Sequence, residues 1–207
     1  MVMDPCFPLS LRERVRVRVP TESHMQSDMA RVMVVGCSGS GKTTLARQLA
    51  QVLGASHIEL DALYWLPHWI PRPTDEFRAL VAMAVSQEHW VTDGNYSAVR
   101  DLVWSRATAI IWLNYPFPTV FRQVLRRTLR RTLTHEELFA GNHESWRRSF
   151  LSRDSILWWV ITTFRRRRRQ YRALFDQPAA VAYTRVEFRR PSEARRFLVA
   201  LGAAVGD

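Results

Sequence analysis

The sequence predicts an α/β fold whose parallel sheet is covered by helices on both faces. Three observations carry that expectation. Apolar runs of four or five residues alternate with longer segments of helical periodicity. A glycine-rich turn, Gly36 to Gly41, separates the first apolar run from the first helical segment. The 207 residues, 47% hydrophobic and 24% charged, have globular composition and suffice for one domain with a sizeable core. With only Cys6 and Cys37, a disulfide scaffold is excluded.

The elements follow in order. Residues 1–28 contain Pro5, Pro8 and Pro20 and a polar run at 21–28, and read as a disordered extension despite the Arg/Val alternation of 14–19. The remainder, 29–207, reads as one domain. Val32–Val35 is the first strand, and the helix after the turn runs to Leu53, with Gly54 as its C-cap. His57–Leu60 is a second strand ending at Asp61, followed by a Pro-rich aromatic loop from Tyr64 to Pro73. Thr74 suits an N-cap for a helix to about Glu88. Trp90–Asp93 is a third strand, turned by Gly94-Asn95, and Ser97–Trp104 a short helix. Ala109–Leu113 is a fourth strand, and Pro116 and Pro118 open a helix to about Arg131. A loop or short helical lid covers 132–145, a helix 146–175, a fifth strand Ala179–Tyr183, and a closing helix Pro191–Leu201. The longest apolar stretch, Ser155–Phe164, is too short to span a membrane. Arginines and Glu13 interrupt any apolar leader at the N-terminus, so a cytoplasmic location is expected.

Gly36-x-x-x-x-Gly41-Lys42-Thr43 has the spacing of a phosphate-binding loop. Its glycines let backbone N–H groups turn inward around an anion at a helix N-terminus, where the dipole favours negative charge. Gly36, Ser38, Gly39, Ser40, Gly41, Lys42, Thr43 and Thr44 are the candidate nucleotide-binding residues. Lys42 would reach the β- and γ-phosphates of ATP, and the Thr43 hydroxyl would ligate Mg²⁺. Lys42 is the only lysine in the chain. Cys37 reads as a small loop residue, and His57 and His68 lack metal-ligand spacing.

The segments GCSGSGKTTLA, HIELDALYW and WVTDGNYS together resemble the P-loop kinases of the adenylate-kinase-like superfamily. More narrowly, they resemble the small bacterial proteins known as topology modulation or adenylate-kinase-related proteins. The resemblance covers about residues 31–201. It implies a three-layer α/β/α P-loop NTPase with a five-stranded parallel sheet in the order 2-3-1-4-5 and a helical lid at 132–153. It also implies an acceptor-side flap at 61–89. In that fold the third strand lies beside the loop strand, so Asp93 would face Mg²⁺, directly or through water. Asn95-Tyr96 stands where nucleoside monophosphate kinases carry an aromatic-Pro-Arg sequence, and Arg100 is a candidate substitute for the missing arginine. Asp61 sits where related kinases hold an acid that binds the acceptor hydroxyl or acts as base; as a turn residue it would look the same. Tyr64, Trp65, His68 and Trp69 either line an acceptor pocket or, as favoured here, pack the flap against the core.

The net charge of +11 is concentrated. Residues 122–172 hold fourteen arginines against four carboxylates, while 1–28 and 29–121 are each neutral. Arg122, Arg126 and Arg130 stack at helical spacing beside Phe121, Leu125 and Leu129, with Arg127 and Arg131 as a second row. Arg126 and Arg130 are the leading candidates to clamp a transferring phosphoryl group, with Arg147 and Arg153 behind them. Five consecutive residues, Arg165–Arg169, turn through about 500° on a helix, so most must be solvated. The favoured function is an ATP-dependent phosphotransferase acting on a small nucleotide or hydroxylated metabolite, with Lys42, Asp61, Arg126 and Arg130 catalytic. The alternatives are a nucleotide-regulated nucleic-acid-binding protein using 122–172, and an ATP hydrolase without acceptor.

Overall fold

The computed structural model describes residues 29–134, 138–142, 155–176 and 183–206. The readings for 1–28, 135–137, 143–154, 177–182 and 207 therefore lie outside the described residues, with most of the expected lid and Arg147 and Arg153 among them. Five strands form a parallel sheet: β1 (Arg31–Gly36), β2 (Ser56–Glu59), β5 (Trp90–Asp93), β6 (Ala109–Leu113) and β7 (Thr184–Phe188). Their spatial order is β2-β5-β1-β6-β7. The numbers differ from the expected 2-3-1-4-5 because residues 65–71 contribute two strands of their own. β3 (Trp65–Leu66) and β4 (Ile70–Pro71) pair as an antiparallel hairpin apart from the main sheet. Among the described residues seven α-helices complete the fold: α1 (Lys42–Leu53), α2 (Leu60–Tyr64), α3 (Thr74–Ala84), α4 (Arg100–Trp104), α5 (Phe117–Thr134), α6 (Ile156–Asp176) and α7 (Pro191–Gly206). It is the α/β fold of a P-loop NTPase.

The sheet is apolar on both faces, as a parallel sheet covered by helices must be. On β1, Val32 and Val34 join one buried cluster with Leu45, Leu49, Val124 and Phe164. Met33 and Val35 join another with Phe77, Val81, Trp90 and Trp112. Among the described residues no helix is long and apolar enough to cross a membrane.

Several boundaries shift for physical reasons. The second strand stops at Glu59, and Leu60 turns into α2 with its side chain fully buried. Asp61 therefore lies in the first turn of a helix. Thr74 makes no side-chain cap; Pro73 is the N-cap residue and Asp75 and Glu76 supply the acidic first turn. That helix ends at Ala84, where the Ser86 hydroxyl donates to the Met83 carbonyl. The fifth strand of the sheet is Thr184–Phe188, and of the expected Ala179–Tyr183 only Tyr183, which is not in a strand, lies within the described residues. Glu187, 5% exposed, accepts from Asn114 Nδ2 at 2.6 Å and from Arg172 Nη2 at 2.9 Å.

Candidate active site

The loop from Gly36 to Gly41 leaves the C-terminal end of β1, flanked by β5 and β6, and delivers the chain into α1. Gly41 is left-handed at φ 89°, and no side chain caps the helix it precedes. The first N–H groups of α1 are thus left for an anion. Gly39 touches α5 directly: a Cβ there would lie 1.9 Å from Val124 Cγ2. Ser40 N–H donates to the Cys37 carbonyl at 3.1 Å, and Lys42 Nζ donates to the same oxygen at 3.1 Å. Burial pushes the Lys42 ammonium down, while Asp93 and Asp61 oppose that shift. Burial also raises the Cys37 thiol above its ordinary value, against Lys42, Arg167 and Arg168. A raised thiol is a poor nucleophile. Ser40 is 1% exposed, and its hydroxyl has no hydrogen-bond partner among the described residues. Ser38 and Thr43 are half-buried and Thr44 is exposed.

Beside the loop, Asp93 is 2% exposed. The Thr43 hydroxyl donates to its Oδ2 at 2.6 Å, and His57 Nε2 lies 3.0 Å from its Oδ1. A hydroxyl and a carboxylate joined at the loop mouth are hard oxygen donors, the kind Mg²⁺ takes while keeping most of its shell for phosphate and water. The pair fits that ion. Glu59 stands opposite Asp93 in the β2–β5 register. Its carboxyl is raised by burial first, and then by Asp93 and Asp61.

Asp61 accepts a hydrogen bond from Tyr96 Oη at 2.5 Å. The Tyr96 phenol is pushed far up by burial and then by the Asp61 charge, so it stays a donor. Tyr96 packs with Tyr64 at 4.5 Å and with Phe77 at 5.2 Å between ring centres. Trp65 meets Trp69 edge-on at 5.6 Å. These aromatics form a packed wall, and His68 is exposed beyond it.

The AAA domain family matches residues 32–200. The chain belongs to this P-loop family. No curated protein sequence matches the chain. A gluconokinase from Sinorhizobium meliloti 1021 is 18% identical with a TM-score of 0.47, covering 86% of this chain and 92% of its own. Shikimate kinase from Bacteroides thetaiotaomicron is 14% identical with a TM-score of 0.48, covering 86% and 99%. A sugar kinase from Janibacter sp. HTCC2649 is 16% identical with a TM-score of 0.44, covering 86% and 97%.

In this AAA domain chain the arginines divide by helix phase. The buried row of α5 is Val120, Val124 and Thr128, not the Phe121 row. Arg126 and Arg130 follow that row by two positions, about 200° around the helix, and both are exposed. Arg127 and Arg131 follow it by three, about 300° around the helix, and are half-buried. Arg127 is the arginine of α5 whose charge reaches Lys42. The expected clamp residues Arg126 and Arg130 thus lie on the exposed side of α5, and Arg127 on its half-buried side.

Four residues join the site through contacts distant in sequence: His57, Asn95, Tyr171 and Arg167. His57 reaches Asp93 through strand register. Asn95 donates from Nδ2 to the Gly36 carbonyl at 2.7 Å and accepts at Oδ1 from Tyr171 Oη at 2.5 Å. Arg167, on α6, donates to the Asn95 carbonyl at 3.4 Å. Alternation along β2 could have found His57, since it shares a face with Glu59; Asn95 stands in the segment WVTDGNYS, and nothing local marks Tyr171 or separates Arg167 from its arginine neighbours.

Proposed function

We propose that the protein is an ATP:acceptor phosphotransferase of the adenylate-kinase-like type, related to the topology modulation proteins. The observation that carries the reading is the single lysine of the chain on the loop, beside the Thr43–Asp93 pair. The loop N–H groups from Gly36 to Thr44 hold the phosphates of ATP, and Lys42 leaves the Cys37 carbonyl to meet them. Thr43 and Asp93 hold Mg²⁺, which neutralises phosphate charge when bound. Lys42 supplies a further positive charge that is worth most in a water-excluded site. Asp61, whose charge reaches Lys42, accepts the proton of the attacking hydroxyl. The acceptor oxygen–phosphorus bond forms, the bond to the β–γ bridging oxygen breaks, and ADP leaves with the electron pair. Residues 61–89 serve as the acceptor-side flap, with Arg127 a better-placed clamp than Arg126 or Arg130.

Labelled ATP offered with a panel of nucleotides, nucleosides, sugars and small acids tests the reading. Lys42→Ala should abolish transfer while circular dichroism shows the fold intact; retained turnover would remove the loop from the reaction. Asp61→Asn should cut kcat by about 100-fold or more, the usual worth of a general base, with ATP binding unchanged. Equal losses in both would place Asp61 elsewhere. Turnover indifferent to every acceptor would make the protein a hydrolase.

A further inference from the structure

The buried Asp93 side chain has two hydrogen-bond partners among the described residues, one on each oxygen. Oδ2 accepts from the Thr43 hydroxyl on the loop side, and Oδ1 lies 3.0 Å from His57 Nε2 on the β2 side. An ionised carboxylate only accepts, so Nε2 carries the hydrogen. His57 is half-buried on the outermost strand of the sheet. Its register partner on β5 is Val91, so it reaches Asp93 diagonally. The residue directly opposite Asp93 is Glu59, a second carboxylate, which can only repel it. From β2, therefore, it is His57 that holds Asp93.

The two partners do different work. Thr43 is itself a ligand of the Mg²⁺ site, whereas His57 lies outside the loop and is fixed by the β2–β5 ladder. Hydrogen bonds from outside a metal site orient the ligands within it. With Oδ1 held by the ring N–H, Asp93 presents Oδ2 on the Thr43 side. A cation taking both oxygens would have to share Oδ1 with that N–H. Mg²⁺ demands near-ideal octahedral geometry, while Ca²⁺ accepts carboxylates through one oxygen or both in a larger, flexible shell. Presentation of one oxygen favours Mg²⁺.

We propose that His57 is a positioning residue that sets the specificity of the cation site: its hydrogen bond makes Asp93 a one-oxygen ligand and so selects Mg²⁺ over Ca²⁺. This rests on the reading of Thr43 and Asp93 as the Mg²⁺ site and deepens it.

Calorimetry tests it by titrating the non-hydrolysable ATP analogue AMP-PNP into the full chain in excess EDTA, Mg²⁺ or Ca²⁺. The parent protein should bind the Mg²⁺ complex more tightly than the Ca²⁺ complex. His57→Leu should weaken the Mg²⁺ complex about tenfold or more, the usual loss when a ligand's outer partner is removed. The Ca²⁺ complex should weaken less, so that the preference falls, and affinity in EDTA should not change. His57→Gln, which keeps an amide N–H donor, should retain most of the preference. A parent protein that binds both complexes alike would overturn the proposal with no variant made. Equal losses in all three conditions would also overturn it, leaving His57 a brace of the fold, as would a His57→Gln preference as low as that of His57→Leu. If Mg²⁺ gives the parent protein no gain over EDTA, the Mg²⁺ reading of Thr43 and Asp93 falls and takes the proposal with it. A gain from Mg²⁺ with an unaltered preference in His57→Leu overturns the proposal alone.

Discussion

Gly39 is the residue on which loop and helix depend together. Its φ of 76° is left-handed, and a Cβ would meet Val124 Cγ2 at 1.9 Å, inside any tolerable contact. Alanine at this position therefore meets two independent penalties: about 1–2 kcal/mol for the left-handed backbone and about 1–3 kcal/mol for overpacking. Gly39→Ala should lower the urea midpoint and weaken AMP-PNP binding. In the double variant with Val124→Ala, the packing part should be recovered and the backbone part should remain. A double-mutant cycle checks this; strictly additive losses would mean the α5 contact does not constrain the loop. Residues such as Gly39, Lys42 and Thr43 could be read from the sequence because their roles are fixed by neighbours a few positions away. The partners of His57 and Arg167 could not. One reaches Asp93 through the register of β2 against β5, the other reaches Asn95 through the phase of α6, and neither relation is written locally.

The hairpin of β3 and β4 makes the same point for elements. Its connection places His68 and Trp69 at φ 63° and 58°, left-handed and without glycine. A two-residue-strand hairpin is marginal alone, so something distant must hold it. Asn142, 5% exposed, accepts from Trp69 N–H at 2.9 Å and donates to the Leu66 carbonyl at 3.0 Å and the Phe139 carbonyl at 2.6 Å. One side chain thus joins the hairpin to residues 138–142. Asn142→Ala should cost about 1–3 kcal/mol locally through unsatisfied groups. Hydrogen exchange should quicken at Trp69 and leave β1 and β6 protected; Asn142→Asp, which keeps the acceptor, should lie between. Unchanged exchange at Trp69 would remove Asn142 as the brace. The sequence could not announce this hairpin as strands, since its brace lies 73 residues away. By contrast α1, ended by Gly54 with Ala55 N–H bonding the Ala50 carbonyl at 2.9 Å, carries its stop signal in place.

At the scale of the molecule, α5 and α6 carry eleven arginines and one carboxylate, Asp176. Such a surplus repels itself, and Glu187 is where the fold answers it. Arg172 lies over the Trp112 ring at 4.9 Å and holds Glu187, which also accepts from Asn114 and from Arg189 Nε at 3.1 Å. The carboxylate ties α6 to β6 and β7, the edge of the sheet that supports the loop. Burial pushes Glu187 up, but hydrogen bonds from Asn114, Arg172 and Arg189 outweigh it and leave the carboxyl below its ordinary value. An unfolded glutamate titrates near pH 4.3, so on acidification the unfolded chain takes the proton first. The stabilisation is therefore complete above that value and is lost as pH falls through the lower, folded one. Glu187→Gln should cost about 2 kcal/mol at neutral pH, less than a fully buried pair because Arg172 is about one-third exposed. Urea midpoints of the parent protein should then fall more steeply than those of Glu187→Gln as pH drops below about 5, and the two curves should converge in acid. Parallel curves would show that the Glu187 carboxyl titrates alike in the folded and unfolded chain, so that its hydrogen bonds and ion pairs do not fasten α6 to the sheet.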